Sequence, residues 1–168
     1  MPETISPVRS RLALVALVLG AAMMMLDVTI VNVALPTLRA SIGADESTLS
    51  WIVSGYALAS GLTLIPAGRL GDRFGHKPVF LAGIVIFTLA SLWCGLAADG
   101  TQLVIARVVQ GLGGGLFFPA IGAFIQLLFA GRARGKAFAV LGASIGVFTA
   151  LGPLVGGVII EAFGEEHG

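Results

Sequence analysis

Five apolar stretches follow one another along this chain, and their lengths restrict the fold more than any other feature. They run from about Leu12 to Pro36, Leu49 to Gly68, Val79 to Ala98, Leu103 to Phe129 and Ala137 to Phe163. A bilayer core of about 30 Å is crossed by about 20 mostly apolar residues in a helix. Each stretch meets that length. The breaks between them (Thr37–Thr48, Arg69–Pro78, Asp99–Gln102, Ala130–Lys136) are short and polar. Spanning β-strands would need alternating segments of about ten residues, and the sequence does not alternate in that way. The expectation is an all-α integral membrane protein with about five transmembrane helices. Residues 1–11 would precede the bundle, 12–163 would form it, and 164–168 would be a tail.

Composition agrees. Hydrophobic residues make up 57% of the 168 and charged residues 11%, against about 25% charged in a soluble domain. That balance disfavours a soluble enzyme, a disordered tail, a nucleic-acid binder and a disulfide scaffold together. Cys94 is the single cysteine and sits in an apolar run, so it offers no intramolecular disulfide or cysteine metal cluster, and packing is its expected role. Arg9 and Arg11 precede the first run. At roughly 25 residues that run is too long for the 7–15-residue core of a signal peptide, so it reads as an uncleaved span.

The net charge is only +1, but the placement of the charges is informative. With the N-terminus in the cytoplasm, Arg9, Arg11, Arg69, Arg73, Lys77, Arg132, Arg134 and Lys136 fall inside and only Arg39 outside. Basic residues concentrate on the cytoplasmic side of membrane proteins, so this orientation is expected. Asp45, Glu46, Asp99, Glu165 and Glu166 then fall outside.

Glycine supplies 24 residues. Lipid gives no hydrophobic drive for helix association, and small residues let helix backbones approach. Gly111–Gly115, Gly142–Gly146 and Gly152–Gly156 each have the four-residue spacing that places both glycines on one face. All three are expected helix–helix seams. Gly152-Pro153, with Gly146, Gly156 and Gly157 around it, gives the fifth span a bendable, closely packed middle.

Charged residues inside the spans are the candidate functional groups. Asp27 lies about 15 residues from the inner end of its span, or ~22 Å. A charge near mid-membrane costs about 2.5–3.5 kcal/mol on insertion scales, so this carboxyl should face a cavity, a partner or both. Burial favours the neutral form of a carboxyl and a nearby cation the charged form, a balance that a proton-coupled carrier needs. A static ion pair and a permanently protonated acid are the bland alternatives. Arg107 sits about 6 Å deep from the outer side. It could snorkel to the headgroups, but Gln110 and Gly111 share its helix face, and such a face belongs inside a bundle. Pairing of Asp27 with Arg107 is geometrically possible. Asn32 lies about 140° round the helix from Asp27, where it could bond a neighbouring helix or line a cavity. Thr29 suits back-bonding to the preceding turn, and Pro36 should end or kink the first span.

The segment Gly68-Arg-Leu-Gly-Asp-Arg-Phe-Gly-His-Lys77 resembles the signature between helices two and three of the major facilitator superfamily. Gly68, Asp72, Arg73, Gly75 and Lys77 match it, while His76 and Pro78 stand where the family often has basic residues. Its glycines would allow a tight turn, and Asp72 could cap a helix N-terminus or pair with a cation. Three further segments match in order. Leu26 to Pro36 resembles the first-helix signature of the fourteen-helix drug:proton antiporter branch. Arg107 to Gly115 resembles the fourth-helix signature, and Gly152-Pro-Leu-Val-Gly-Gly157 the fifth-helix signature of antiporters.

The resemblance implies a proton-coupled multidrug efflux antiporter working by alternating access in the cell membrane. Asp27 and Arg107 would handle the proton, and Asp72 would belong to a latch that stabilises the outward-facing state. Gly146, Gly152, Pro153, Gly156 and Gly157 would form the antiport-type helix, with Asn32 and Gln110 as cavity candidates. An amphiphilic small molecule, protons and the lipid bilayer are the implied partners, and the proton gradient replaces any cofactor. The family builds its substrate cavity between two six-helix halves, near the midplane. Five spans therefore look like the N-terminal part of one half, which would need the missing C-terminal helices. The rival expectation is a truncated, non-transporting membrane remnant or an assembly partner. No nucleophile–base group or metal-ligand spacing argues for an enzyme, since His76 and His167 would lie on opposite sides of the membrane.

Overall fold

The computed structural model describes residues 7–164, which form five helices: α1 Pro7–Ile42, α2 Glu46–Phe74, α3 His76–Gly95, α4 Gly100–Leu128 and α5 Gly131–Gly164. All five are long and apolar enough to cross a membrane. Glu165, Glu166 and His167, assigned above to an outer tail, lie outside the described residues, as do residues 1–6.

The helices outrun the apolar stretches that announce them. α1 has 36 residues, about 54 Å at 1.5 Å per residue, whereas hydropathy marks only the part that must be apolar. Of the two outcomes expected at Pro36, an end or a kink, the end is not found: α1 continues to Ile42. A lost backbone bond is tolerated where neighbouring helices re-satisfy the freed group. Pro66, Pro119 and Pro153 likewise sit inside helices.

Local chemistry sets the boundaries. Gly43, at φ +60°, follows the end of α1. Asp45 caps α2, its carboxylate accepting from the Thr48 backbone N–H at 2.9 Å. Asp99 caps α4 in the same way through Gln102 N–H at 2.8 Å, and Gln102 Oε1 accepts from Ala98 N–H at 2.9 Å. This is the reciprocal logic of a capping box.

The expected loop at Arg69–Pro78 is almost entirely helical. α2 runs to Phe74 and α3 restarts at His76, leaving only Gly75 between them, at φ +90°. A left-handed residue is what a helix break one residue long demands, and glycine adopts it without a Cβ penalty. Asp72 is consequently no N-cap of α3. It lies in the last turn of α2, exposed, with Oδ1 at 3.8 Å from His76 Nε2. Gly68 faces open space within α2, so it makes no close approach. That role falls to Gly71, where a Cβ would lie 2.5 Å from His76 Nδ1.

α4 is the centre of the packing. It lies along both α2 and α3, while α1 packs chiefly along α5. Phe117 is fully buried among Phe80 and Phe87, with ring centroids at 6.1 and 5.6 Å and planes near perpendicular. Edge-to-face contacts of this kind add to simple burial. The glycine run of α4 explains how three backbones meet there. A Cβ at Gly111 would lie 2.5 Å from Tyr56 O, at Gly115 2.5 Å from Ser60 O, and at Gly113 2.6 Å from Phe87 N. The Gly111–Gly115 seam is therefore present, with Gly113 serving α3 from the same run. The seam at Gly152–Gly156 is also present: a Cβ at Gly152 would collide with the Thr29 side chain, and one at Gly156 would touch Val33 Cβ at 3.4 Å. The seam expected at Gly142–Gly146 is not. Both glycines, and Gly157, have nothing within 4 Å, because that face of α5 turns away from the other described helices.

Candidate functional site

Asp27 enters the bundle from α1 and meets α4, which α2 and α3 flank. Arg107 Nη1 donates to Asp27 Oδ2 at 2.6 Å, and Gln110 Nε2 donates to Asp27 Oδ1 at 2.7 Å. Both carboxylate oxygens thus accept from α4. The two donors are themselves linked, since Arg107 Nη1 also donates to Gln110 Oε1 at 2.6 Å. Their i, i+3 spacing on one helix face makes this possible.

The outer members of the network tie in the remaining helices. Arg107 Nε donates to the Ile52 carbonyl at 3.3 Å, and the guanidinium carbon lies 4.2 Å from the centre of the Tyr56 ring, both on α2. On α3, Ser91 Oγ accepts from Gln110 Nε2 at 2.6 Å, and Cys94 Sγ donates to Gln110 Oε1 at 3.6 Å. The ion pair is withdrawn from the surface, the side chain of Arg107 being 3% exposed and that of Asp27 17%. Arg107 therefore does not snorkel. A charge pair taken out of water persists only when geometry is good and further hydrogen bonds satisfy both ions, and these conditions are met here.

This arrangement suits an ionised carboxyl, because each oxygen faces a donor. The cluster is a hydrogen-bonded clasp between α1 and α4. Among the described residues no group of three or more His, Cys, Asp or Glu is placed to hold a metal ion.

The structure brings Asp27, Arg107 and Gln110 into one cluster. It does not bring Asn32 there, which is exposed on α1. Thr29 back-bonds to Met25 O at 2.8 Å, as its position on the helix implies. The segment from Gly68 to Lys77 forms a separate feature, where the Arg73 guanidinium lies 5.2 Å from the Phe74 ring centre and the His76 ring meets Phe124 edge-on at 6.3 Å. Gly152 and Gly156 serve the α1–α5 contact, and Pro153 is exposed within α5. Sequence reasoning missed Tyr56 and Ser91, and it gave Cys94 a packing role only. Tyr56 is the single tyrosine of a chain with ten phenylalanines, a signal that was available. Cys94 is likewise the single cysteine, whereas Ser91 carries no comparable mark, because small polar residues are common in spanning helices.

Comparison with known proteins agrees with this architecture. The Major Facilitator Superfamily profile matches residues 17–165, and the chain belongs to that family. It is similar to an uncharacterized transporter of the superfamily from Mycobacterium tuberculosis, 42% identical over 92% of this chain and 27% of the relative. It is also similar to the methylenomycin A resistance protein of Bacillus subtilis, 36% identical over 91% of this chain and 33% of the relative. The tetracenomycin C resistance and export protein of Streptomyces glaucescens is 37% identical over 91% of this chain and 28% of its own length. The chain spans about a quarter to a third of these curated relatives. With its five spanning-length helices, it is a multi-pass membrane protein of a transporter family.

Proposed function

We propose that this chain contributes the proton-handling helices of an efflux antiporter that exports amphiphilic small molecules against inward proton flow. The observation that carries the proposal is the part-buried Asp27 carboxylate of the spanning helix α1, held by Arg107 and Gln110 of the spanning helix α4. An intramembrane ionisable group is expensive and is retained chiefly for function. Resistance and export appear in the names of the relatives, which favours transport over a non-transporting remnant and over catalysis.

In this mechanism the ionised carboxylate locks α1 to α4. Proton uptake turns an accepting oxygen into a donor, opens the bond to Gln110 or Arg107, and frees α1 to move against α4. Release of the proton re-forms the clasp. The membrane proton gradient supplies the energy, with no further cofactor. The protein sits in the cell membrane with its N-terminus in the cytoplasm, as the basic residues favour. Asp72, with Gly68, Arg73, Gly75 and Lys77, then lies at the cytoplasmic end as part of the gate. Gly152 and Gly156 let α5 ride closely on α1, and Pro153 lies exposed between them.

The test uses everted membrane vesicles with an acid interior, holding the protein as its gene encodes it. Addition of ethidium, an amphiphilic probe, should release protons from wild-type vesicles and not from Asp27→Asn vesicles. Undiminished probe-driven proton release from Asp27→Asn would remove Asp27 from the mechanism.

A further inference from the structure

We infer that Tyr56 is a positioning residue for the Asp27–Arg107 pair: its ring face holds the guanidinium in place while the carboxyl is neutral. The inference rests on Asp27 being the proton-carrying group. Arg107 keeps its charge throughout, so protonation of Asp27 strips a buried cation of its counter-ion. What then remains around the guanidinium is the Gln110 Oε1 and Ile52 carbonyl oxygens and the Tyr56 ring, 4.2 Å from the guanidinium carbon. The negative face of an aromatic ring attracts a cation most strongly where water is excluded, and Arg107 is 2% exposed.

The ring is a fixed platform. Tyr56 is 6% exposed, and its own carbonyl lies so close to α4 that a Cβ at Gly111 would come within 2.5 Å of it. The hydroxyl is not what secures the side chain. It is buried and is the one such side-chain polar atom without a hydrogen-bond partner among the described residues. The ring, not the hydroxyl, makes the contact with the guanidinium. Tyr56, from α2, thereby lowers the cost of the protonated state of a carboxyl on α1 without touching that carboxyl.

The test is an infrared pH titration of the purified protein, following the carbonyl band of a protonated carboxylic acid that Asp27→Asn abolishes. In Tyr56→Leu that band should require about tenfold higher proton concentration to appear. Tyr56→Phe should titrate with the wild type, since it keeps the ring and discards only an unpartnered hydroxyl. Thermal unfolding in detergent checks that each variant is folded, and Tyr56→Met, a flexible filler of the same seam, replaces Tyr56→Leu if the latter is not. Coincident titration of wild type and the ringless variant would overturn the inference, as would a shift in Tyr56→Phe equal to that in Tyr56→Leu. A wild-type spectrum with no band that Asp27→Asn removes would instead overturn the reading of Asp27 itself, and the inference with it.

Discussion

α4 and α5 carry the same apparent signature, glycines spaced by four with a proline inside the helix, yet they are packed in opposite ways. In α4 the glycines at 111, 113 and 115 bring the helix against the backbones of α2 and α3. In α5 only Gly152 and Gly156 meet a neighbour, α1, while Gly142, Gly146 and Gly157 face open space. The molecule thus divides into a tight α2–α3–α4 block and a looser α1–α5 pair. Glycine spacing gives a helix the capacity for close approach. Whether that capacity is used depends on what the register of the partner brings opposite. The Asp27–Arg107 link joins the pair to the block across this divide.

Breaking the link should have the largest effect. Arg107→Ala leaves the part-buried Asp27 carboxylate without its cation and should cost about 3 kcal/mol, read as a fall in the unfolding midpoint in detergent. Next come the seams. Gly113→Ala places a methyl 2.6 Å from Phe87 N and 2.9 Å from Gly83 O, both backbone atoms that cannot give way. Overpacking of this kind costs about 1–3 kcal/mol. Gly142→Ala meets nothing within 4 Å and should be neutral or stabilising by up to about 1 kcal/mol, the helix-propensity gain. Equal damage from the two substitutions would break the contrast, and would mean that the open face of α5 is covered in the membrane.

Much of this division was legible in the sequence, for physical reasons that also mark where legibility ends. Five spans follow from hydropathy because lipid imposes a length. The α4 seam follows from a run, Gly111-Leu-Gly-Gly-Gly115, too dense to be incidental. The Asp27–Arg107 pair was open to inference because a charge in the membrane needs a partner and few candidates exist. The failures are equally specific. Gly142–Gly146 has the right spacing but no neighbour. Asp72 looked like a loop residue because hydropathy ends where α2 does not. Tyr56, though marked as the single tyrosine, entered the site through a tertiary approach from α2 that its local sequence does not encode.

Smaller effects sharpen the picture of the link. Ser91→Ala removes an acceptor from Gln110 Nε2 and should cost about 1 kcal/mol, with a loss in the same unfolding assay. Smallest is the cap at the start of α2. The hydrogen bonds from Thr48, side chain first and backbone second, hold the Asp45 carboxyl below its ordinary value of 3.8. A lowered value in the folded state means that the cap contributes fully above that ordinary value. Its contribution fades as pH falls through the lowered one. Thermal scans of wild type and Asp45→Asn should therefore differ near neutrality and converge in strong acid.

In the proposed antiport, loss of the Asp27 proton is coupled to binding of the amphiphilic molecule. The most direct test of this coupling is to count protons leaving the purified, weakly buffered protein, as its gene encodes it, when it binds an amphiphilic probe that the vesicles show it to carry. Wild type should release a proton on binding the probe, and Asp27→Asn should be saturated by the probe without releasing any. Equal proton release from both proteins would contradict the coupling.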